Sequence, residues 1–451
     1  MTEYELRDHD QIQDETMHIQ REEPDISVNN ILDTIKAGDS ICSGAFVENG
    51  VVYFGSNNGS IHALNSKTGE MLWNFRTNGI ITSTPVLKDN VLYTTSFDQH
   101  LYAIDAATGH LNWKFRTGDK IITAPAVTNN SIYICSIDSY VYCISLDGDL
   151  IWRYRTGGPI GSAPRVVKDV VFVGSCDSKM HVIRDGERLW DYLSGGYILT
   201  GILIDKHGNE IVGFDNRVTN NHIDNGTLCF GDMSGNYYGL AWEDGTLLWK
   251  TRIDGIAMKE ISYKGILYIA TNDGHIHAIS YEDGRTLWKY KSDGLVSQPR
   301  IHNNVLYFGS HDKNLYALSL DGELLWKYYI GTEIDAPLKE NDTVLYFGGW
   351  NGNFYAFDID KRDILWKFNI GSSPAAPVYS KMLSKVFRIK QMIKNIFWKP
   401  EPKKQDIYES PIKPPVKESG TYAMKSTYEM KSQYEMGKEY GIEKKKKDRL
   451  F

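Results

Sequence analysis

Four polar residues stand where this chain otherwise repeats small ones. Segments such as Ser83-Thr84-Pro85, Thr123-Ala124-Pro125 and Ser162-Ala163-Pro164 recur with small side chains around the proline. Later copies read Lys259-Glu260, without proline, and Gln298-Pro299-Arg300, while Arg165 follows the proline of the fourth. In an extended strand, the positions before and after the proline share one side. Lys259, Gln298, Arg300 and Arg165 therefore point alike. Cations and an amide on one side could hold an anionic ligand or a carboxylate through charge-assisted hydrogen bonds. The plainer alternative is polar residues lining a wet channel.

Little else has the spacing of chemistry. The sequence holds no H-E-x-x-H, G-x-S-x-G, G-x-x-x-x-G-K-[ST] or EF-hand loop. His275 and His277 share a strand face, and surface positions explain them better than a metal does. Asp358 and Asp360 fall in a turn, where aspartate caps backbone amides. The five cysteines, Cys42, Cys135, Cys143, Cys176 and Cys229, include no C-x-x-C pair and read as buried, reduced thiols.

What must position the four polar residues is a repeat. Trp73, Trp113, Trp152, Trp190, Trp249, Trp288, Trp326 and Trp366 are spaced by 40, 39, 38, 59, 39, 38 and 40 residues. Such a period marks stacked supersecondary units. One unit reads LVSQPRI, VLYFGS, NLYALS and ELLWKYY, four short β-runs separated by HNN, HDK and LDG turns. A lone four-stranded sheet cannot bury both faces, and radial stacking of copies gives a β-propeller. The expected fold is therefore all-β, an eight-bladed propeller of four-stranded antiparallel blades. The tryptophans begin the outer strands, where they are expected to dock neighbouring blades.

The phrases SIHALNSKTGEMLWNF (60–75), HLYAIDAATGHLNWKF (100–115) and VLYFGSHDKNLYALSLDGELLWKY (305–328) resemble the repeats of pyrroloquinoline-quinone (PQQ) enzymes and their non-catalytic relatives. The resemblance covers roughly 39–380 and implies eight blades. The enzymes of that family sandwich PQQ against a disulfide of adjacent cysteines and hold calcium. This sequence has no adjacent cysteines, so the resemblance points to the non-catalytic branch, with no enzyme activity and no cofactor expected. PQQ is the cofactor the family would imply.

Two irregularities break the repeat. The long Trp190–Trp249 interval places about 20 extra residues in an insertion at 205–226 of the fifth blade, either a binding loop or drift. The last blade carries DIDKRD (358–363) in place of its turn glycine. Closure has two candidates, 39–47 and 372–380, of which the second carries the proline pattern better.

Charge separates the ends from the middle. Residues 1–40 hold 11 acidic and 3 basic side chains, whereas 381–451 hold 9 acidic and 18 basic. The expected organisation is an acidic, largely disordered segment 1–38, the propeller 39–380, a basic amphipathic helix 381–399 and a disordered Pro/Lys/Tyr-rich tail 400–451. The helix would bind a membrane surface, an acidic partner or the propeller's own face. Tyr422, Tyr428, Tyr434 and Tyr440 mark a hexapeptide near-repeat, either a multivalent motif array or an inert tail. The first residues lack a basic and then apolar leader, and no apolar run is long enough for a membrane-spanning helix. The expectation is a monomeric, cytoplasmic protein, peripheral to a membrane at most. It would act as a protein-interaction scaffold with no specific nucleic-acid binding, or alternatively as a channel-binding sensor of small anions, or as a PQQ-dependent oxidoreductase.

Overall fold

The structure is a computed structural model that describes residues 39–205 and 226–371. The described residues form eight four-stranded antiparallel sheets, each built from strands consecutive in sequence. Blade 1 comprises Ala45–Glu48, Val51–Gly55, Ser60–Asn65 and Met71–Arg76, from the channel outward. The innermost strand of blade 1 is thus N-terminal, and Ala45–Glu48 pairs with Val51–Gly55. The other closing segment, 372–380, lies outside the described residues, as do most of the insertion and the segments 1–38, 381–399 and 400–451.

Each outer strand carries a β-bulge just before its tryptophan. In blade 1, Ala63 pairs with Trp73 but Leu64 pairs with Met71, leaving Leu72 as the extra residue. The same shift recurs in blade 2, where Ala103 faces Trp113 and Ile104 faces Leu111. A bulge increases local twist and re-aims the side chain beside it. The strand partner under each indole is small: Ala63, Ala103, Cys143, Gly239, Ala278, Ala317 and Ala356, with Val182 in blade 4. Gly239 is the extreme case, since a Cβ there would lie 2.3 Å from the Trp249 ring.

The indoles reach the next blade. Trp73 Nε1 donates to Ala106 O at 2.9 Å, Trp113 to Leu146 O at 3.1 Å, and Trp288 to Leu320 O at 2.9 Å. Each ring also lies on the turn glycine of that blade: a Cβ on Gly109 would fall 2.8 Å from Trp73, and Gly109 has φ +75°. Glycine is needed twice over, for the left-handed backbone and for the contact. Trp366 closes the ring by donating to Ser66 O at 3.1 Å and lying against Gly69.

Blade 8 departs from this pattern. Arg362 takes the left-handed turn position at φ 55°, and its guanidinium sits 5.7 Å from the Trp326 ring centre. A cation over the indole face offsets part of the cost of a non-glycine left-handed residue.

An inner belt repeats the same logic. Glycines ending second strands pack on the isoleucine that opens the next blade: Gly55 on Ile81, Gly174 on Ile198, Gly309 on Ile334 and Gly348 on Ile41. Between the belts, paired faces of neighbouring blades bury aromatics, as where Phe54 stacks on Phe354 at 3.9 Å. Blade 8 therefore meets blade 1 through the contacts used at the other junctions.

Removing one indole should loosen one junction. Trp113→Ala is expected to cost about 3 kcal/mol, and Gly109→Ala about 1–2 kcal/mol from the left-handed backbone alone. Thermal and urea midpoints of the two variants check this, and Gly109→Ala without loss would remove the steric part of the account.

Candidate functional site

Prolines set the length of the inner strands. Pro85, Pro125, Pro164 and Pro299 immediately precede the short runs Val86–Lys88, Ala126–Val127, Arg165–Val167 and Arg300–His302. Proline cannot donate to the ladder, so pairing starts after it. Blade 6 has Glu260 at that position, in register with Ile269, and its inner strand extends over Ala257–Tyr263 with a bulge between Ala257 and Lys259. The loss of one proline thus rebuilds one wall of the channel.

Four residues were singled out by sequence, and the structure brings only two of them together. Gln298 and Arg300 line one cavity of about 20 Å³, with Gly44, Thr84, Pro337 and Lys339. Lys259 lines a separate cavity of about 20 Å³ with Asn272, Ser297 and Asp335. Arg165 opens the inner strand of blade 4 and lines neither.

Around Lys259, the inner ends of blades 6, 7, 8 and 1 gather polar groups that sequence reading missed. His311 Nε2 stands 3.6 Å from Asp335 Oδ1 and packs edge-on against Trp350 at 4.4 Å. Asn57 Nδ2 donates to Ser40 Oγ at 2.8 Å and to Cys42 Sγ at 3.8 Å. Burial works to raise the Asp335 carboxyl, but His311 and Lys259 outweigh it and hold it below the usual carboxylate range. Burial draws the Lys259 ammonium down, against the pull of Asp335 and Cys42. The Cys42 thiol is pushed up to about 12, first by burial and then by Asp335, so it is no nucleophile.

A faint signal for this cluster was present. Asn57, Asn272, His311 and Trp350 hold the second position of the inner turn between second and third strands. Blades 2 to 5 place Phe97, Ile137, Cys176 and Met233 there. In all eight blades the backbone amide of this residue donates to the loop entering the inner strand, as Asn57 does to Ser40 O and His311 to Leu295 O. One half of the rim is therefore apolar and the other polar, on an identical backbone.

Two further groups correct simple surface readings. His277 is buried, with its ring 5.6 Å from that of His275, and burial lowers its pKa. Glu260 is fully buried and accepts no hydrogen bond, and burial pushes its carboxyl up to about 8. The Tyr237 hydroxyl, whose own ionisation Glu260 opposes, is likewise unpartnered.

The described residues do not fit PQQ as its enzymes hold it. None of the five cysteines forms a disulfide or is adjacent to another, and the cavities lined by Lys259 and by Gln298 with Arg300 are far smaller than a tricyclic quinone. No group of three or more His, Cys, Asp or Glu is placed for a metal among the described residues.

Fold and repeat chemistry together define the PQQ-like repeat propellers. A family model described as outer membrane protein assembly factor BamB matches residues 33–125, 119–221 and 207–383, and the chain belongs to that family. Among solved structures, it is similar to the BamB crystal structure from Moraxella catarrhalis, with TM-score 0.56 and 16% identity over 73% of this chain and 95% of that one. It is also similar to the computationally designed Ika8 protein, with TM-score 0.60 and 17% identity over 72% of this chain and 98% of that one. At these identities the likeness is one of fold. No curated protein matches the sequence.

The buried Glu260 gives a pH test. Its folded-state pKa, about 8, lies above the ordinary 4.5, so the folded state binds more protons between those values. Stability must then fall as pH rises through that window. Glu260→Gln should remove this slope, melting several degrees above the parent at pH 8.5 and close to it at pH 4.5. Parallel pH profiles for the two proteins would refute the buried-carboxyl account.

Proposed function

We propose that the chain is a non-enzymatic interaction platform, a rigid disc that holds protein partners. Membership in a family described as an assembly factor carries this reading, because an assembly factor works by binding other proteins. The rim supports it. The bulged residues Ile151, Leu189, Leu248, Leu287, Leu325 and Leu365 are exposed on outer edge strands, where apolar side chains and unpaired backbone groups invite contact.

The finer parts of the reading are these. The disc acts as a monomer, and the insertion 205–226 enlarges its binding surface. The basic segment 381–399 tethers it to a membrane surface or an acidic partner. Five cysteines that form no disulfide, four of them buried, support a reducing compartment, which the cytoplasm provides. That the described residues do not fit a quinone as its enzymes hold it supports a platform over an oxidoreductase.

A photo-crosslinking residue at Leu248 or Leu325, in the full chain expressed in its own cells, tests this. The expected outcome is a discrete adduct with one protein from rim positions and none from a buried control. Rim positions that yield only self-adducts, or dye reduction that depends on added PQQ and calcium, would overturn the reading.

A further inference from the structure

The outer strands of blades 1, 2 and 3 present one sign of charge. Met71–Arg76, Leu111–Arg116 and Leu150–Arg155 expose Arg76, Lys114, Arg116, Arg153 and Arg155 and contain no acid. Lys114 faces Tyr102 in register and Arg153 faces Tyr142, so each shares a face with its tyrosine. Phe75 and Phe115 of the preceding blades meet those tyrosines edge-on at 5.6 and 5.7 Å. Each cleft between these outer strands therefore has an aromatic wall and two cations two residues apart. Arg116 donates to the neutral Gln99 Oε1 at 3.2 Å, and Arg153 and Arg155 lie over the Tyr140 ring at 4.9 and 5.9 Å. No carboxylate among the described residues forms an ion pair with Arg76 or Lys114.

The acids nearest these clefts have donors of their own. Asp98 accepts from Tyr102 Oη and Asn78 N, and Asp138 from Tyr142 Oη and Gly118 N. Asp119 stands in the loop leaving blade 2. Five cations against these three acids leave the stretch positive. The run ends at blade 4, where Asp191 faces His181 and pairs with Lys179 and Arg188 at 3.1 and 2.9 Å. Blade 5 carries Lys250 and Arg252, but beyond it Asp254 pairs with Lys289 at 3.0 Å, so a second run of three strands does not form.

The same chain supplies a counter-charge at the same face. Residues 1–40 hold 11 acidic and 3 basic side chains, and Glu3 with Glu5, then Asp8 with Asp10, are spaced as Lys114 and Arg116 are. The segment joins the disc on the side where outer strands end. Asn57 N donates to Ser40 O as Phe97 N donates to Ile80 O, and Ile80 closely follows the outer strand ending at Arg76. From Asp10 to Asp39 is 29 residues, or ~100 Å extended, against the ~15 Å between inner and outer strands of one blade.

We propose that the acidic segment 1–38 docks, through Glu3, Glu5, Asp8 and Asp10, in the cationic clefts of blades 1 to 3 and covers that part of the rim. Ion pairs formed there are exposed and individually weak, so they hold by acting together and are broken by salt. The inference stands apart from the platform reading, since a chain can cover its own rim whether or not the disc binds a partner.

Chymotrypsin cleavage of the full chain after Leu6 tests this, with carbodiimide coupling of carboxyls to amines showing where the segment lies. At ~20 mM salt the segment should resist cleavage and couple to Lys114, and at ~500 mM it should be cut at least ~10-fold faster. Combining Lys114→Glu, Arg116→Glu, Arg153→Glu and Arg155→Glu should give the fast cleavage at low salt while melting as the parent does. Adding Glu3→Lys, Glu5→Lys, Asp8→Lys and Asp10→Lys to that variant should restore resistance, which a damaged fold could not do. Equal cleavage of the parent and the first variant at low salt, or no restoration by the swap, would overturn the proposal. So would coupling of the segment only to lysines of 381–451, or only between two chains.

Discussion

The junction between neighbouring blades is the contact on which the rest of the molecule depends. A single four-stranded blade leaves both faces open to water, and only the next blade can cover them. The indole at the start of each outer strand does this at the rim. Its ring lies on the following turn, and at six junctions its N–H reaches a carbonyl of that turn. The turn must then be flat and left-handed, which asks for glycine. The strand under the indole must be thin, and six of the eight blades place alanine or glycine there. The bulge must aim the ring outward, which leaves one residue of the outer strand unpaired. Three apparently separate regularities of the sequence are consequences of one contact.

That chain of consequences explains why the fold was legible. The tryptophan period reported a geometric demand repeated at eight junctions, so local noise could not erase it. Blade 8 shows how much substitution the demand tolerates, since Arg362 adopts the glycine backbone and covers Trp326 with its guanidinium. The closing strand was not legible. The segment 372–380 carries the proline pattern better, yet Ile41 packs on Gly348 and Ala45–Glu48 takes the inner place of blade 1. Proline frequency describes how an inner strand is shortened, and a closing strand has no need to be shortened. What decides closure is the isoleucine–glycine fit, and that pairs residues about 300 positions apart in sequence.

The channel groups were legible only in part, for a related reason. Gln298 and Arg300 flank Pro299 in sequence and line one cavity. Strand alternation carries no information about which blades stand next to each other in layer and height. Lys259 lines another cavity because blade 6 has Glu260 in place of the proline and a bulge between Ala257 and Lys259, which re-aims that stretch of the inner strand. Asp335, His311 and Trp350 come from three different segments, each unremarkable alone, and meet where blade 7 packs on blade 8. Local pattern reads strands well and reads convergence on an axis poorly.

The uneven distribution of polarity is the last consequence of the junctions. Inner and outer belts fix the backbone of all eight blades alike, so side chains on the axis are released from any structural duty. In blades 2 to 5 the inner-turn positions are apolar, Phe97, Ile137, Cys176 and Met233, although blade 4 carries Arg165 on its inner strand. In blades 6, 7, 8 and 1 they hold an acid, a histidine, two asparagines and several cations, some without a partner for their polar atoms. Unpartnered buried donors lower stability, and nothing in blade docking requires them. Glu260 shows the same imbalance in its simplest form, a carboxyl held in the fold at the expense of its own charge. A ring made rigid by repetition can carry such groups on one arc without losing its shape. The arc, and not the repeat, is therefore where this chain departs from a merely self-supporting propeller.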